Sequence, residues 1–238
     1  MGSRLGRFWV LGLIVGVALV FAGWTLATLP AFHLHELTVT GAQRVSRAQI
    51  VARAAIDPER NVWLLDRSAA ERRVESIPYV LAARVHRRLP ADVWIEVTER
   101  RPYACVHDAD GHEFIVDAEL RVLEELCTPD AAVTFDVRST LDAGPGAFLR
   151  DRELRALEAD ALALASHGDR YRAFSHDAYG ELEATMYGGI VVRFGDDDDL
   201  DRKQRLIQPI LAELGPRLGN VRTVDLRAPA TPVVEYRK

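Results

Sequence analysis

The chain has 238 residues, 48% of them hydrophobic, with 30 Lys and Arg against 35 Asp and Glu and a formal net charge of −5. That length admits one large domain or two small ones. The acidic balance argues against a nucleic-acid partner, which calls for a positive surface. Two cysteines, Cys105 and Cys127, leave a disulfide and two buried thiols both open, and they are too few for a zinc site by themselves.

Residues 8–29, FWVLGLIVGVALVFAGWTLATL, carry no charge. At about 1.5 Å per residue a helix over this run reaches roughly 33 Å, enough for a hydrocarbon core of about 30 Å. A signal peptide would have a shorter apolar core and a small-x-small cleavage site, for which Leu29-Pro30-Ala31 is a poor match. The run therefore predicts a transmembrane helix over 8–29. Arg4 and Arg7 precede it and no Lys or Arg follows until Arg44, so residues 1–7 are expected in the cytoplasm and 31–238 on the far side.

Phe32 to Thr40 reads as a strand with Leu37 and Val39 on one face. Ser46 and Gln49 form a capping-box pattern that opens a helix with the stripe Ile50, Val51, Ala54 and Ala55, stopped by Asp57-Pro58. Ser68 and Glu71 repeat the pattern ahead of Ala70, Val74 and Ile77. Pro78 to Pro102 then holds two period-two runs. Leu81, Ala83 and Val85 share a face in the first and Val93, Ile95 and Val97 in the second, with Leu89-Pro90-Ala91-Asp92 as the reversal. Two helices laid on a three-stranded sheet would bury all these stripes, giving an α+β domain over 32–101.

Beyond Pro102 the texture changes to short strands with Gly- and Asp-containing turns. Tyr103 to His107 and Glu113 to Val116 read as a hairpin, followed by strands near Leu120 to Leu126 and Thr134 to Val137. Arg150 to Ser166 is a helix with Leu154, Leu157, Ala161 and Leu164 on one side. His176 to Met186 and Ile190 to Phe194 read as a second hairpin. A last helix starts at the acidic run Asp196–Asp199, favourable at a helix N-terminus, and contains Pro209, which is expected to bend it. Val221 to Leu226 and Val233 to Tyr236 close the chain as strands. Residues 102–238 thus read as a mixed, mainly antiparallel β domain with helices.

No catalytic residue, cofactor or metal site is predicted. His33 and His35 on one strand, or His107 and His112 about a loop, lack third and fourth ligands nearby in sequence. Asp196 to Asp199 with Asp201 lacks the spacing, central Gly and terminal Glu of a calcium loop. Ser175-His176-Asp177 are neighbours on a strand and point in alternating directions, so they cannot form a triad on their own.

The Val39-Thr40-Gly41 turn, the connector Asn61-Val-Trp-Leu-Leu-Asp66, and the strings Ile77-Pro-Tyr-Val-Leu-Ala-Ala-Arg-Val-His-Arg-Arg-Leu-Pro90 and Ile95-Glu-Val-Thr-Glu-Arg-Arg-Pro-Tyr-Ala104 resemble the FtsQ/DivIB family of bacterial cell-division proteins. So does the closing Val224-Asp-Leu-Arg227 with its final strand. Where the family tends to carry V-D-x-x-G-x-V, this chain has Leu120 in place of the glycine. The resemblance implies a single membrane anchor, a POTRA domain, and a β domain whose C-terminal part docks FtsB, itself carried with FtsL in a coiled coil. It implies a scaffold at the division septum of the inner membrane, with no catalysis. By position the docking candidates are Arg227, Val233, Val234, Glu235 and Tyr236, with Val224 and Leu226 as support. The plainer alternative for Val233 to Tyr236 is a strand that only completes the sheet. A different function for the same fold is an export or chaperone module that receives unfolded envelope proteins through its POTRA domain.

Overall fold

The computed structural model describes residues 3–27, 30–88, 90–128, 131–165, 171–196 and 198–237. Thr28 and Leu29 of the apolar run, Leu89 of the hairpin turn, Ser166 at the expected helix end and Asp197 of the acidic run lie outside them. The chain divides into two units, Met1–Arg100 and Arg101–Lys238.

The first unit opens with helix α1, Ser3–Ala27. Its described side chains, Trp9 and those from 12 to 25, are all exposed. Among the described residues no helix is long and apolar enough to cross a membrane. Strand β1 (Glu36–Thr40), helices α2 (Arg47–Ala54) and α3 (Arg67–Glu75), and strands β2 (Val80–Arg88) and β3 (Asp92–Glu99) follow. The sheet order is β1-β3-β2, with β1 parallel and β2 antiparallel to the central β3. Ile50 and Ala54 of α2 and Ala70 and Val74 of α3 pack onto Val85, Val93, Ile95 and Val97. Burying such side chains supplies about 1.5–3 kcal/mol each for the larger ones.

Local signals explain most of these boundaries. Ser46 Oγ accepts the Gln49 N–H at 3.2 Å and starts α2. Ala55, expected on the helical stripe, instead terminates α2 in the left-handed region at φ 47° and is exposed. The second capping box is not formed. Asp66 caps α3 by accepting the Ala69 N–H at 3.0 Å, because a carboxylate two residues earlier begins the helix before Ser68 can. Leu81 is 45% exposed, not buried with Ala83 and Val85. A register shift between Val80 and Ala82 turns Val80 inward in its place. Gly41, at φ +84°, lies so close to β3 that a Cβ would run into the Val97 carbonyl; only glycine suits both demands.

The second unit is a nine-stranded mixed sheet. Its strands are β4 (Ala104–His107), β5 (Glu113–Val116), β6 (Val122–Glu124), β7 (Val133–Asp136), β8 (Tyr171–His176), β9 (Leu182–Met186), β10 (Val191–Gly195), β11 (Val221–Asp225) and β12 (Val233–Tyr236). Their spatial order is β12-β11-β10-β9-β8-β7-β4-β5-β6. The β4–β7, β7–β8 and β10–β11 pairs are parallel and the other pairs antiparallel. Helices α4 (Arg152–Ala165) and α5 (Leu200–Leu214) supply the crossovers for β7–β8 and β10–β11, and β5 and β6 lie in the connection between β4 and β7. Leu154, Leu157, Ala161 and Leu164 are the buried side of α4, as its periodicity predicts.

Three points differ from the sequence reading or resolve it. His176 to Met186 is not one strand: Asp177 Oδ1 accepts the N–H groups of Tyr179 and Glu181, folding a tight turn that separates β8 from β9. Strand β8 itself, starting at Tyr171, has no clean alternation and was not legible. Leu120 holds the left-handed conformation, φ 59°, that a glycine would take at that position, and its side chain is buried. Cys105 and Cys127 are joined in a disulfide, with Cα atoms 5.5 Å apart. The bond ties the segment after β6 back across β5 to β4.

Candidate partner-binding edge

A sheet edge can accept a strand only if its outward N–H and C=O groups are unfilled. In the first unit β2 is an edge, and α3 fills it. Glu71 Oε1 accepts the Val85 N–H at 2.8 Å, and Glu75 Oε1 the Ala83 N–H at 3.1 Å. On the opposite edge, Arg47 Nη2 donates to the Leu37 carbonyl of β1. In the second unit the outer side of β6 is covered by the segment 144–149: Val122 donates to the Ala147 carbonyl, and Gly146 to the Val122 carbonyl, each at 2.8 Å.

The other edge of the second sheet is β12. It pairs with β11 through Val233↔Asp225, Val234↔Val224 and Glu235↔Thr223. Arg237 N–H donates to the Asn220 carbonyl at 2.7 Å, so residue 237 turns its amide toward β11. Strand alternation then turns Glu235 and Val233 the same way, and turns the N–H and C=O of Val234 and Tyr236 outward. Leu226 N–H donates to Arg193 O of β10 at 2.8 Å, which sets the same phase from the other side. No described strand lies beyond β12.

The expected site residues divide by what their side chains do. Val234 packs on the core. Val233 is 56% and Tyr236 46% exposed, leaving apolar surface beside the free backbone groups. Glu235 Oε1 stands 3.9 Å from Arg193 Nη1, and Arg193 Nε bonds Glu183 Oε1 at 2.8 Å, a charge row the sequence reading missed because it joins three strands. Arg227 is committed inside the molecule. Its Nη2 lies 2.7 Å from Asp225 Oδ2 and its Nη1 3.4 Å from Glu181 Oε2, and the guanidinium holds the Asp225 carboxyl below its ordinary range. Val224 and Leu226 are fully buried.

The other sequence candidates are not gathered into a reactive site. His176 faces Glu153 and Asp160 of α4, while Asp177 serves its turn. His33 forms an isolated bridge with Asn61. His107 and His112 have separate partners, Asp136 and Asp108.

Residues 32–100 match the model of the POTRA domain, FtsQ-type. The chain is 32% identical over 225 residues to the cell division protein FtsQ of Syntrophotalea carbinolica, covering 90% of this chain and 77% of that one. The chain belongs to the FtsQ family of cell-division proteins. The FtsQ of Myxococcus fulvus is 34% identical over 226 residues, covering 87% of this chain and 76% of its own. Both alignments reach well beyond the POTRA domain, so this family's likeness includes much of the second unit that carries β12.

Proposed function

We propose that the chain is a membrane-tethered scaffold of the division machinery that receives a strand from an FtsB-like partner on β12. The observation that carries this reading is the outward pair of N–H and C=O groups at Val234 and Tyr236 on an edge that nothing described covers. β-Augmentation uses such groups for affinity and neighbouring side chains for specificity. Val233, Glu235 and Tyr236 supply that second element, and Arg227 acts through Asp225 by holding the turn that leads from β11. The POTRA domain over 32–101 and the β domain over 102–238 are the two working parts.

The tether is the uncharged run 8–29, most of which lies within α1. Arg4 and Arg7 on its N-terminal side orient it, placing the two domains outside the cytoplasm. Tethering raises the effective concentration of partners that are themselves membrane-bound, such as an FtsB–FtsL pair. That is the means by which a protein without catalysis helps assemble septal peptidoglycan synthesis.

The test is binding of the full chain, in detergent micelles, to the FtsB–FtsL pair of the same organism, beside Val234→Pro. Proline at 234 removes an outward N–H without taking a donor from the β11–β12 ladder; because it also replaces a side chain packed on the core, folding of the variant is checked by circular dichroism. Affinity about tenfold weaker, the worth of one hydrogen bond, is expected. Undiminished binding by the variant would move the site off β12. Absence of binding by the folded parent chain would favour a POTRA-bearing receptor for unfolded envelope proteins.

A further inference from the structure

On the sheet face opposite the core, three adjacent strands present Glu113, His107 and Asp136 in one row. His107 of β4 is in register with Glu113 of β5 and with Asp136 of β7. Cys105 lies two residues back on β4 and therefore on the same face. His107 Nδ1 is 2.8 Å from Asp136 Oδ1, and its Nε2 is 3.1 Å from Cys105 Sγ and 3.9 Å from Glu113 Oε1. Glu113 Oε2 accepts the Cys127 N–H at 3.1 Å, which holds the second cysteine over the row. The ligand atoms of Cys105, His107 and Cys127 all lie within 4.8 Å of one another.

We propose that reduction of the disulfide converts this cluster into a zinc-type metal site, with Cys105, Cys127, His107 Nε2 and the Glu113 carboxylate as ligands. Thiolate and imidazole donors favour a borderline-soft divalent cation such as zinc, and four donors complete its tetrahedron. Zinc bonds of about 2.0–2.3 Å to N, O and S place donor atoms about 3.3–3.8 Å apart in a tetrahedron, a spacing that side-chain rotation can reach from the present one.

The arrangement of His107 is what separates this site from a simple staple. When Nδ1–H donates to Asp136, the Nε2 lone pair faces the sulfurs. A carboxylate on the far nitrogen is the usual outer support of a metal-bound histidine, fixing both tautomer and ring direction. Cys105, His107 and Glu113 sit on paired strands, which position ligands more rigidly than loops do. His107, Glu113 and Asp136 side chains are each nearly half exposed, leaving a path for a hydrated ion.

The chemistry balances with an external reductant. A phosphine takes the two electrons' worth of oxidation and leaves as its oxide, with oxygen from water, while the S–S bond becomes two thiols. Metal binding then releases the two thiol protons. Disulfide and metal are alternative closures of the same loop between residues 105 and 127, so each state excludes the other.

The test uses the full chain in detergent, reduced with a phosphine, freed of reductant without oxygen, and titrated with cobalt(II) as the optical stand-in for zinc. One cobalt per chain is expected, with a thiolate-to-cobalt charge-transfer band and the visible bands of a tetrahedral ion, all displaced by zinc. The oxidised chain should show none of these. Asp136→Asn should weaken binding about 10–100-fold, the usual loss for an outer support. His107→Ala and Glu113→Gln should weaken it and shift the visible bands. All three variants keep the disulfide, so their folding is checked in the oxidised form by circular dichroism. No thiolate-to-cobalt band in the reduced parent, or parent-like affinity and spectra in His107→Ala, would overturn the proposal.

Discussion

Glu71 of α3 accepts the backbone N–H of Val85 across the edge of the first sheet, at 2.8 Å. One helical turn along, Glu75 repeats the contact with Ala83 at 3.1 Å. Side chains from the covering helix thereby occupy positions that a foreign strand would use. Replacing both by alanine is expected to destabilise the POTRA domain by about 2–4 kcal/mol, since each carboxylate bond to an N–H is worth roughly 1–2. The variant should also self-associate as concentration rises, because the edge is uncovered. Denaturant unfolding and sedimentation measure the two effects, and unchanged behaviour in both would mean that water fills the edge equally well.

Glu99 closes the other end of this domain. Its carboxylate accepts the N–H groups of Gln43, Arg44 and Val45 at 2.8–3.0 Å. Burial pushes its pKa up, but these donors outweigh burial and hold it below its ordinary value of 4.5. A depressed carboxylate contributes stability that is present above the unfolded pKa and lost as pH falls through the folded one. Glu99→Gln is therefore expected to cost about 1–3 kcal/mol at neutral pH and to match the parent more closely in acid below pH 4.5. Parallel melting curves of the two chains from pH 7 to pH 3 decide it.

Gly41 carries two constraints at once, a positive φ and contact with the Val97 carbonyl. Gly41→Ala should lose at least about 1–2 kcal/mol from the backbone conformation, before any displacement of β3 is counted. Gly111→Ala is a useful control, for it has the same φ of 84° and nothing near its Cβ position. A larger loss of melting temperature at 41 than at 111 is the expected result, and equal losses would remove the role given to the Val97 carbonyl.

Asp108 is a carboxylate whose side chain is fully buried, paired with His112 Nδ1 at 2.9 Å. Burial pushes its pKa up, yet the Leu141 N–H, the His112 side chain, and the His112 and Asp110 N–H groups together hold it well below the ordinary range. The hydrogen bond that His112 Nδ1–H donates to the Asp108 carboxylate in turn raises the pKa of His112 above its ordinary 6.5. The histidine's contribution is present below 6.5 and is lost as pH rises through the raised value, whereas Asp108's is lost only in strong acid. An NMR titration should place His112 above 6.5 in the parent and bring it down in Asp108→Asn, provided the loop remains folded. A titration unmoved by the substitution would contradict the pairing.

Much of the architecture was legible because its signals are local. Val93, Ile95 and Val97 alternate within one strand, Leu154, Leu157, Ala161 and Leu164 repeat at helical spacing, and Ser46 caps the helix that follows it. Leu81 was misplaced because a one-residue register shift, invisible to alternation, reverses its face. Ser68 was misassigned because Asp66 competes for the same helix start and Glu71 has a better partner in β2.

The sequence by itself determined the periodicities, the caps, the glycine turn and the motifs that mark the family, since each depends on residues close together in the chain. Only the tertiary structure decided which strands became edges, which edges were filled, and which amides of β12 face outward. It alone brought Cys105, Cys127 and His107 into one cluster beside Asp136 and Glu113. The physical reason is the same in each case. Edge exposure and ligand convergence depend on pairing between distant strands, and a strand's own residues encode its two faces but not its neighbours.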